Sequence, residues 1–264
     1  MTDSFKGILY PARLPTFHRL PAPEPVAHLV QWFWIPEWDI EPGRSSRQHL
    51  IAYPTSNLVV QGDVVEFSGP TTRAAYRDLS GKGWAVGALL RPAAVPLFSD
   101  APETLRDTGL ALDLHNLHTA VSAAMETHDG GAYRGRAVDA FVAWLVSLDV
   151  AVSEEALLAN RMMDIIATDP EVVRIEDAAS LLAVSPRTLQ RIAKKYIGLS
   201  PSALIRRRRL QDAAERTRSD PTADLAVIAV ELGYADHAHL TNDFRKFLGF
   251  TPSSYRRSAG AADC

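Results

Sequence analysis

Two sets of cationic and amide side chains near the C-terminus are the residues in this sequence best suited to chemistry. The first is Arg187, Gln190, Arg191, Lys194 and Lys195; the second is His237, His239, Asn242, Arg245 and Lys246. Intervals of three and four place such side chains on neighbouring parts of one helix surface. Arginine pairs with the guanine edge, and glutamine or asparagine with adenine. Lysines beside them supply point charges for phosphate. The expected chemistry is therefore non-covalent recognition of a polyanion. Bond-breaking chemistry has no comparable footing. There is no Gly-x-Ser-x-Gly elbow and no glycine loop that could cradle a phosphate. The one cysteine is the terminal Cys264, poorly placed for a reactive thiolate, so no enzyme is expected. His115 and His118 lie one turn apart near Asp113, as a metal-binding pair or an ordinary surface pair. His237 and His239 have no third ligand at fitting spacing. Neither a metal nor another cofactor is expected.

The elements that carry these residues can be read from caps and periodicity. Ile175, Ala178, Ala179 and Leu182 mark the inner face of one helix. Ser185 is placed to cap the next, Pro186 opens it, and Gly198 closes it. Over 186–197, Leu189, Ile192, Ala193 and Tyr196 point inward and the first basic set points out. The pattern then recurs. Leu225, Ile228, Ala229 and Leu232 form an inner face, Gly233 a turn and Asp236 a cap. Leu240, Phe244 and Phe247 are the apolar side of 237–248, leaving the second set outside. The halves end alike, in "GLSP" (198–201) and "GFTP" (249–252). Helix, tight turn and basic helix is the unit that enters a major groove. Between the two units runs a helix from Pro201 to about Thr217 that holds "RRRR", Arg206 to Arg209. At 100° per residue these four sweep 300°, so they cannot form one patch. With Leu210, Ala213, Ala214 and Thr217 as the inner stripe, Arg208 points away from it and is the phosphate candidate. Arg209 is expected to form an ion pair within the domain.

About the last 90 residues resemble the DNA-binding domain of AraC/XylS-type transcription regulators. The resemblance rests on "VSPRTLQR" (184–191), "KKYIGLSP" (194–201), Arg209-Leu210, and "IAVELGYADHAHLTNDFRKFLGFTPSSYRR" (228–257) at this separation. It implies seven helices in two subdomains, with two recognition helices in successive major grooves of double-stranded DNA. It makes Arg187, Gln190, Arg191, His237, His239 and Asn242 candidates for base edges. Lys194, Lys195, Arg208, Arg245 and Lys246 are candidates for phosphates. RNA polymerase, a small-molecule effector and a second copy of the chain are the further partners it implies, for an activator or a repressor. The sequence also departs from the family pattern. Asn242 stands where many relatives carry a basic residue, Asp243 adds a negative charge beside it, and Leu240 and Ala193 replace common aromatics. The first unit is therefore expected to supply more of the phosphate affinity.

The front of the chain has another character. Of the −3 net charge, residues 171–264 contribute 15 Lys and Arg against 11 Asp and Glu, and residues 1–170 contribute 13 against 20. "NLVVQG" (57–62), "DVVEFSG" (63–69) and "WAVGALLRP" (84–92) read as strands, and "LPAPEPV" (20–26) as extended chain. Helices are expected over 112–128, 136–148 and 154–168. The fold class is α+β: a small β-rich domain at 1–100, cupin-like or a sandwich, a helical connector at 101–168 packed on it, the double helix-turn-helix at 169–258, and a tail at 259–264. "PAPEPVAHLVQWFW", "SNLVVQGDVVEFSGPTTRA" and "GALLRPAA" are similar to the sensing domain of a subset of the same regulators. Trp32, Trp34 and Trp38 are either the lining of an aromatic ligand pocket or part of the core. In place of sensing, the domain could dimerise or bind a protein partner, and a repair enzyme fused to the reader is a further alternative. With 47% hydrophobic residues, 22% charged ones and no 18-residue apolar run, the chain has a core and no membrane span is expected. The start, Met1-Thr2-Asp3-Ser4, shows no secretory signal. A reducing cytoplasm is the expected compartment.

Overall fold

The computed structural model describes residues 16–50, 53–127, 130–220 and 222–260. The front half is β-rich and the back half helical. Eight strands are described: β1 (Phe17–Pro21), β2 (Val30–Asp39), β3 (Ser45–Leu50), β4 (Asn57–Gln61), β5 (Val64–Ser68), β6 (Ala75–Ser80), β7 (Lys82–Leu90) and β8 (Gly109–Leu112). Six of them form a sheet in the order β1-β2-β7-β4-β5-β8, and β3 pairs with β6 in a second sheet of two strands. Every pairing is antiparallel. The β4–β5 hairpin turns on two residues, Gly62 and Asp63, and Gly62 takes the positive φ that such a tight turn requires.

Alternation along the strands divides the large sheet into two faces. Phe33 and Ile35, Leu58 and Val60, Val65 and Phe67, and Val86, Ala88 and Leu90 are buried together. Against them lies a pair of helices, α1 (His115–Glu126) and α2 (Ala132–Ser147), through Leu117, Val121, Met125, Ala137, Phe141 and Leu145. Phe33 meets Phe141 edge to face at 5.4 Å. The expected extended stretch at 20–26 is only partly so, since Glu24–Val26 closes into a 3₁₀ turn. Leu112 ends a strand rather than beginning a helix; β8 borders β5, so the sheet continues past residue 100.

The third helix, α3 (Glu154–Thr168), does not serve as a connector packed on the sheet. Its apolar side, Ala156, Ala159, Met162 and Ile166, shares a core with α4 (Ile175–Leu181) and α5 (Pro186–Tyr196) through Ala178, Ala179, Leu189 and Ile192. A period of 3.6 shows which side of a helix is apolar but not which core receives it. A second core joins α6 (Pro201–Ser219), α7 (Leu225–Glu231), α8 (His237–Asp243) and α9 (Pro252–Gly260) through Leu210, Ala213, Ile228, Leu240, Phe244 and Tyr255. Helices α3 to α9 are thus seven, in two subdomains threaded by α6. That helix contributes Leu204 and Ile205 to one core and Leu210, Ala213 and Ala214 to the other. Asn160 of α3 fastens this part to the front: its amide accepts from the Ala93 N–H (3.0 Å) and donates to the His28 carbonyl (2.8 Å). Among the described residues no helix is long and apolar enough to cross a membrane.

Candidate nucleic-acid interface

The first unit is assembled by local rules. After α4 the chain turns at Ala183, one of three non-glycine residues with positive φ among the described residues. Ser185 caps α5 by accepting the Thr188 N–H at 3.1 Å, and Pro186 follows at the first helical position. Leu189, Ile192, Ala193 and Tyr196 are buried, while Arg187, Gln190, Arg191, Lys194 and Lys195 are exposed. Lys194 and Lys195 stand in the last turn, where cations oppose the negative end of the helix dipole. Gly198 ends the helix at φ +81° and lies so close to the front domain that a Cβ there would come within 2.7 Å of the Pro102 carbonyl carbon and the Glu103 nitrogen.

The second unit repeats the plan. Asp224 caps α7, receiving the Ala226 N–H at 2.8 Å, and Asp236 caps α8, receiving the His239 N–H at 2.7 Å. Helix α8 leads into a π turn over Phe244–Leu248 before Gly249 reverses the chain. His237, His239, Asn242, Arg245 and Lys246 are exposed. Asp243 is not the surface charge the sequence suggests. It is 1% exposed and receives the guanidinium of Arg206 through two N–H groups, the Nε at 2.6 Å. Its charge is therefore met inside the domain and does not face a phosphate backbone beside Asn242.

The four consecutive arginines are all engaged within the chain. Arg206 goes to Asp243. Arg207 is 5% exposed, lies 4.0 Å over the Phe247 ring and donates to the Thr71 carbonyl at 3.0 Å. Arg208, the phosphate candidate, is 7% exposed; it donates to the carbonyl of Val172 at 2.9 Å and pairs with Asp212. It is removed from the set of phosphate contacts. A single buried stripe would leave Arg208 in solvent, but α6 is covered on several sides, by both cores and by the segment before α4. Arg209 donates to the carbonyls of Val173 (2.7 Å) and Gly233 (3.3 Å), so its partners are backbone oxygens and not a carboxylate. Together these arginines tie α6 to the first unit, the second unit and the front domain.

Two carboxylates from other elements, with no signal in the sequence, meet the cations of the first recognition helix. Glu155, at the start of α3, accepts from Arg191 (2.5 Å), Lys195 (2.8 Å) and the Tyr196 hydroxyl (3.1 Å). Hydrogen bonds from Arg191 first, then Lys195, hold its carboxyl at about 2, far below the usual range. Glu103 of the front domain faces Lys194 at 3.6 Å, and Arg106 donates to the Gly198 carbonyl at 2.6 Å. An acid in the first turn of a helix reads as a complement to the helix dipole, which is why Glu155 carried no sequence signal of a partner.

Trp32, Trp34 and Trp38 lie on the sheet face opposite Phe33 and Ile35 and are half-buried there. They are therefore outside the α1–α2 core. Trp34 stacks on Phe17, covers Gly87 and donates from Nε1 to Asn57 at 3.0 Å. Trp32 meets Tyr53 edge to face, and Trp38 donates to the Ser80 carbonyl at 3.3 Å. Of the histidine pair on α1, His118 contacts the Gly62 carbonyl and His115 the Thr119 hydroxyl.

Two helix-turn-helix units on one shared helix define a double-headed helix-turn-helix reader. Residues 178–258 match a helix-turn-helix domain family, and residues 18–110 match a domain of unknown function (DUF6597). The C-terminal part of the chain is a helix-turn-helix domain, and the chain is similar to AraC-like transcription regulators. A Haemophilus influenzae protein described as an uncharacterized HTH-type transcriptional regulator is 37% identical over 84 residues, 32% of this chain and 28% of that protein. A putative AraC-like transcription regulator of Streptomyces antibioticus is 32% identical over 124 residues, 46% of this chain and 38% of its own length. The HTH-type transcriptional activator RhaS of Pectobacterium carotovorum is 28% identical over 161 residues, 61% of this chain and 50% of that one. The chain thus spans half or less of these relatives. Among solved structures, ToxT of Vibrio cholerae aligns over 92% of this chain and 97% of its own at 11% identity and a TM-score of 0.44.

Proposed function

We propose that the chain is a sequence-specific, double-stranded-DNA-binding transcription regulator whose activity is set by a small molecule held in its β-rich domain. The observation that carries this reading is the pair of recognition helices, α5 and α8, each with its apolar side sealed in its own core and its basic and amide side chains exposed. Arg187, Gln190 and Arg191, with His237, His239 and Asn242, read base edges; Lys194, Lys195, Arg245 and Lys246 hold phosphates. Helix α6, 19 residues long, spans about 28 Å, against a groove repeat of about 34 Å, which suits entry into successive major grooves on one side of the duplex. The effector site is the tryptophan-bearing sheet face, where Trp34 lies against glycine and beside the polar Asn57.

Selection of bound sequences from random DNA by the purified full chain tests the reading. Enrichment of a site with two half-elements about one helical turn apart supports it; a library that stays random refutes sequence reading. A thermal-shift screen of metabolites tests the effector: a reproducible rise lost on Trp34→Ala supports sensing, and silence across a broad library counts against it.

A further inference from the structure

The first recognition helix exposes four cations, Arg187, Arg191, Lys194 and Lys195, and three of them are already met by carboxylates. Glu155 divides its two oxygens, Oε2 to the Arg191 guanidinium and Oε1 to the Lys195 ammonium. A guanine edge and a backbone phosphate would offer the same two cations their acceptors. Glu103 faces Lys194 from the front domain, on the segment that also seats Arg106 on the Gly198 carbonyl. The second unit has no counterpart: among the described residues no ion pair joins Arg245 or Lys246 to a carboxylate.

We propose that Glu155 and Glu103 act as internal stand-ins for DNA, holding the base-reading Arg191 and the phosphate-contacting Lys194 and Lys195 of the first unit until DNA displaces them. The inference rests on the DNA-reading function above and adds a regulatory device to the same site. All three cations are more than half exposed. Exposed pairs of this kind are individually weak, so the carboxylates compete with phosphate without blocking it. When DNA takes the cations, each carboxylate returns to solvent and regains counter-ions. This offsets part of the counter-ion release that drives binding to a duplex. Because Glu103 belongs to the front domain and Glu155 to the reader, only the Glu103 contact changes if the two parts shift relative to one another. The front domain can then set how much of the first unit's charge is available without touching DNA itself.

Sequence-independent affinity is the direct measure, since phosphate contacts do not depend on the operator. Full-length chain is titrated into a labelled random-sequence duplex of about 30 base pairs, followed by fluorescence anisotropy at several salt concentrations, for wild type, Glu155→Gln, Glu103→Gln, the double variant Arg191→Ala/Lys195→Ala and the triple variant Glu155→Gln/Arg191→Ala/Lys195→Ala. Freeing two cations should tighten binding about three- to thirtyfold in Glu155→Gln, and freeing one about two- to fivefold in Glu103→Gln. The fall of log affinity with log salt should become steeper in both. Relative to the Arg191→Ala/Lys195→Ala double variant, adding Glu155→Gln should gain nothing. Melting temperatures identify a variant whose fold is damaged, and the Glu103 variant tests the same idea from a different element. Unchanged or weaker binding by both single variants overturns the proposal while leaving DNA reading intact; it would make Glu155 a positioning residue for Arg191. Failure of every protein, wild type included, to bind the duplex at low salt overturns the DNA-reading function and this proposal with it.

Discussion

Replacing Arg207 by methionine tests what a buried charge contributes where the reader meets the front domain. Arg207 is 5% exposed and, among the described residues, has no carboxylate within ion-pair distance. Burial pulls its guanidinium down to about 10, against a smaller upward pull from the more distant Asp107 and Asp243. At 1.36 kcal/mol per unit, keeping it charged costs on the order of 3 kcal/mol. The sign is that of a cation disfavoured in the folded state. Below pH 10 both states are protonated and the cost is fully present; it is relieved only as pH rises above 10 toward the ordinary guanidinium range. Against it stand a charge-assisted bond to the Thr71 carbonyl at 3.0 Å and the Phe247 ring at 4.0 Å, worth about 1.5–3 and about 2 kcal/mol. The terms nearly cancel. Arg207→Met keeps an unbranched stem over Phe247 and removes the charge, so it should change unfolding free energy by less than about 1 kcal/mol. Arg207→Ala also empties the space over the ring and should cost about 2–3 kcal/mol. Urea denaturation of the full chain, followed by tryptophan fluorescence and by far-ultraviolet circular dichroism, separates the two. A loss above 3 kcal/mol in Arg207→Met, or equal losses in both variants, would refute the balance drawn here.

Three other changes probe the joints around the recognition helices. Asp243→Ala leaves Arg206 half-exposed and able to rehydrate, so the loss should be about 2–3 kcal/mol, at the low end for a broken buried pair; a denaturation midpoint equal to wild type would mean that the pair contributes nothing. Gly198→Ala places a methyl at a left-handed φ and against the Pro102–Glu103 backbone. It should cost at least about 1–2 kcal/mol and raise amide hydrogen exchange over 102–106, and exchange that stayed as in wild type would count against the close approach. Arg191→Ala should weaken binding to a selected operator by about 1–3 kcal/mol and relax preference at one base position. Lys195→Ala should weaken all sequences alike and lower the salt slope by about one. Competition with a mutated operator distinguishes these two patterns.

What could be read from the sequence was what is local. Ser185, Pro186 and Gly198 bound α5 because a cap, a fixed φ and a left-handed exit are properties of single residues. The strands β4, β5 and β7 showed as β-branched runs. β3 and β6 did not, because "SSRQHL" and "AYRDLS" carry little apolar alternation. They are defined by pairing with each other, with Arg47 bonded to Asp78 across the ladder. The polar sequence of each strand gives no sign that the other, some 30 residues away, will pair with it.

The recognition surface divides along the same line. Periodicity determines that Arg191 and Lys195 point away from Leu189 and Ile192, since both statements concern one helix. It is silent on Glu155, 36 residues before Arg191, and on Glu103, 91 residues before Lys194, because their arrival depends on how α3 and the front domain pack. The arginine run shows the converse. Its side chains have the same chemical type as the outward set, yet Arg207 and Arg208 are among the few buried charged residues. What separates the two groups is the number of neighbours around the helix. α5 is sealed along one side and free on the other, whereas α6 lies between two cores and beneath Thr71. An arginine on a helix with a free side can offer its donors to a partner; on an enclosed helix, most of the bonds it makes go to carbonyls and carboxylates of the chain itself. The density of positive charge in the sequence therefore marks the joint of the reader, and the sparser charges of α5 and α8 mark its surface.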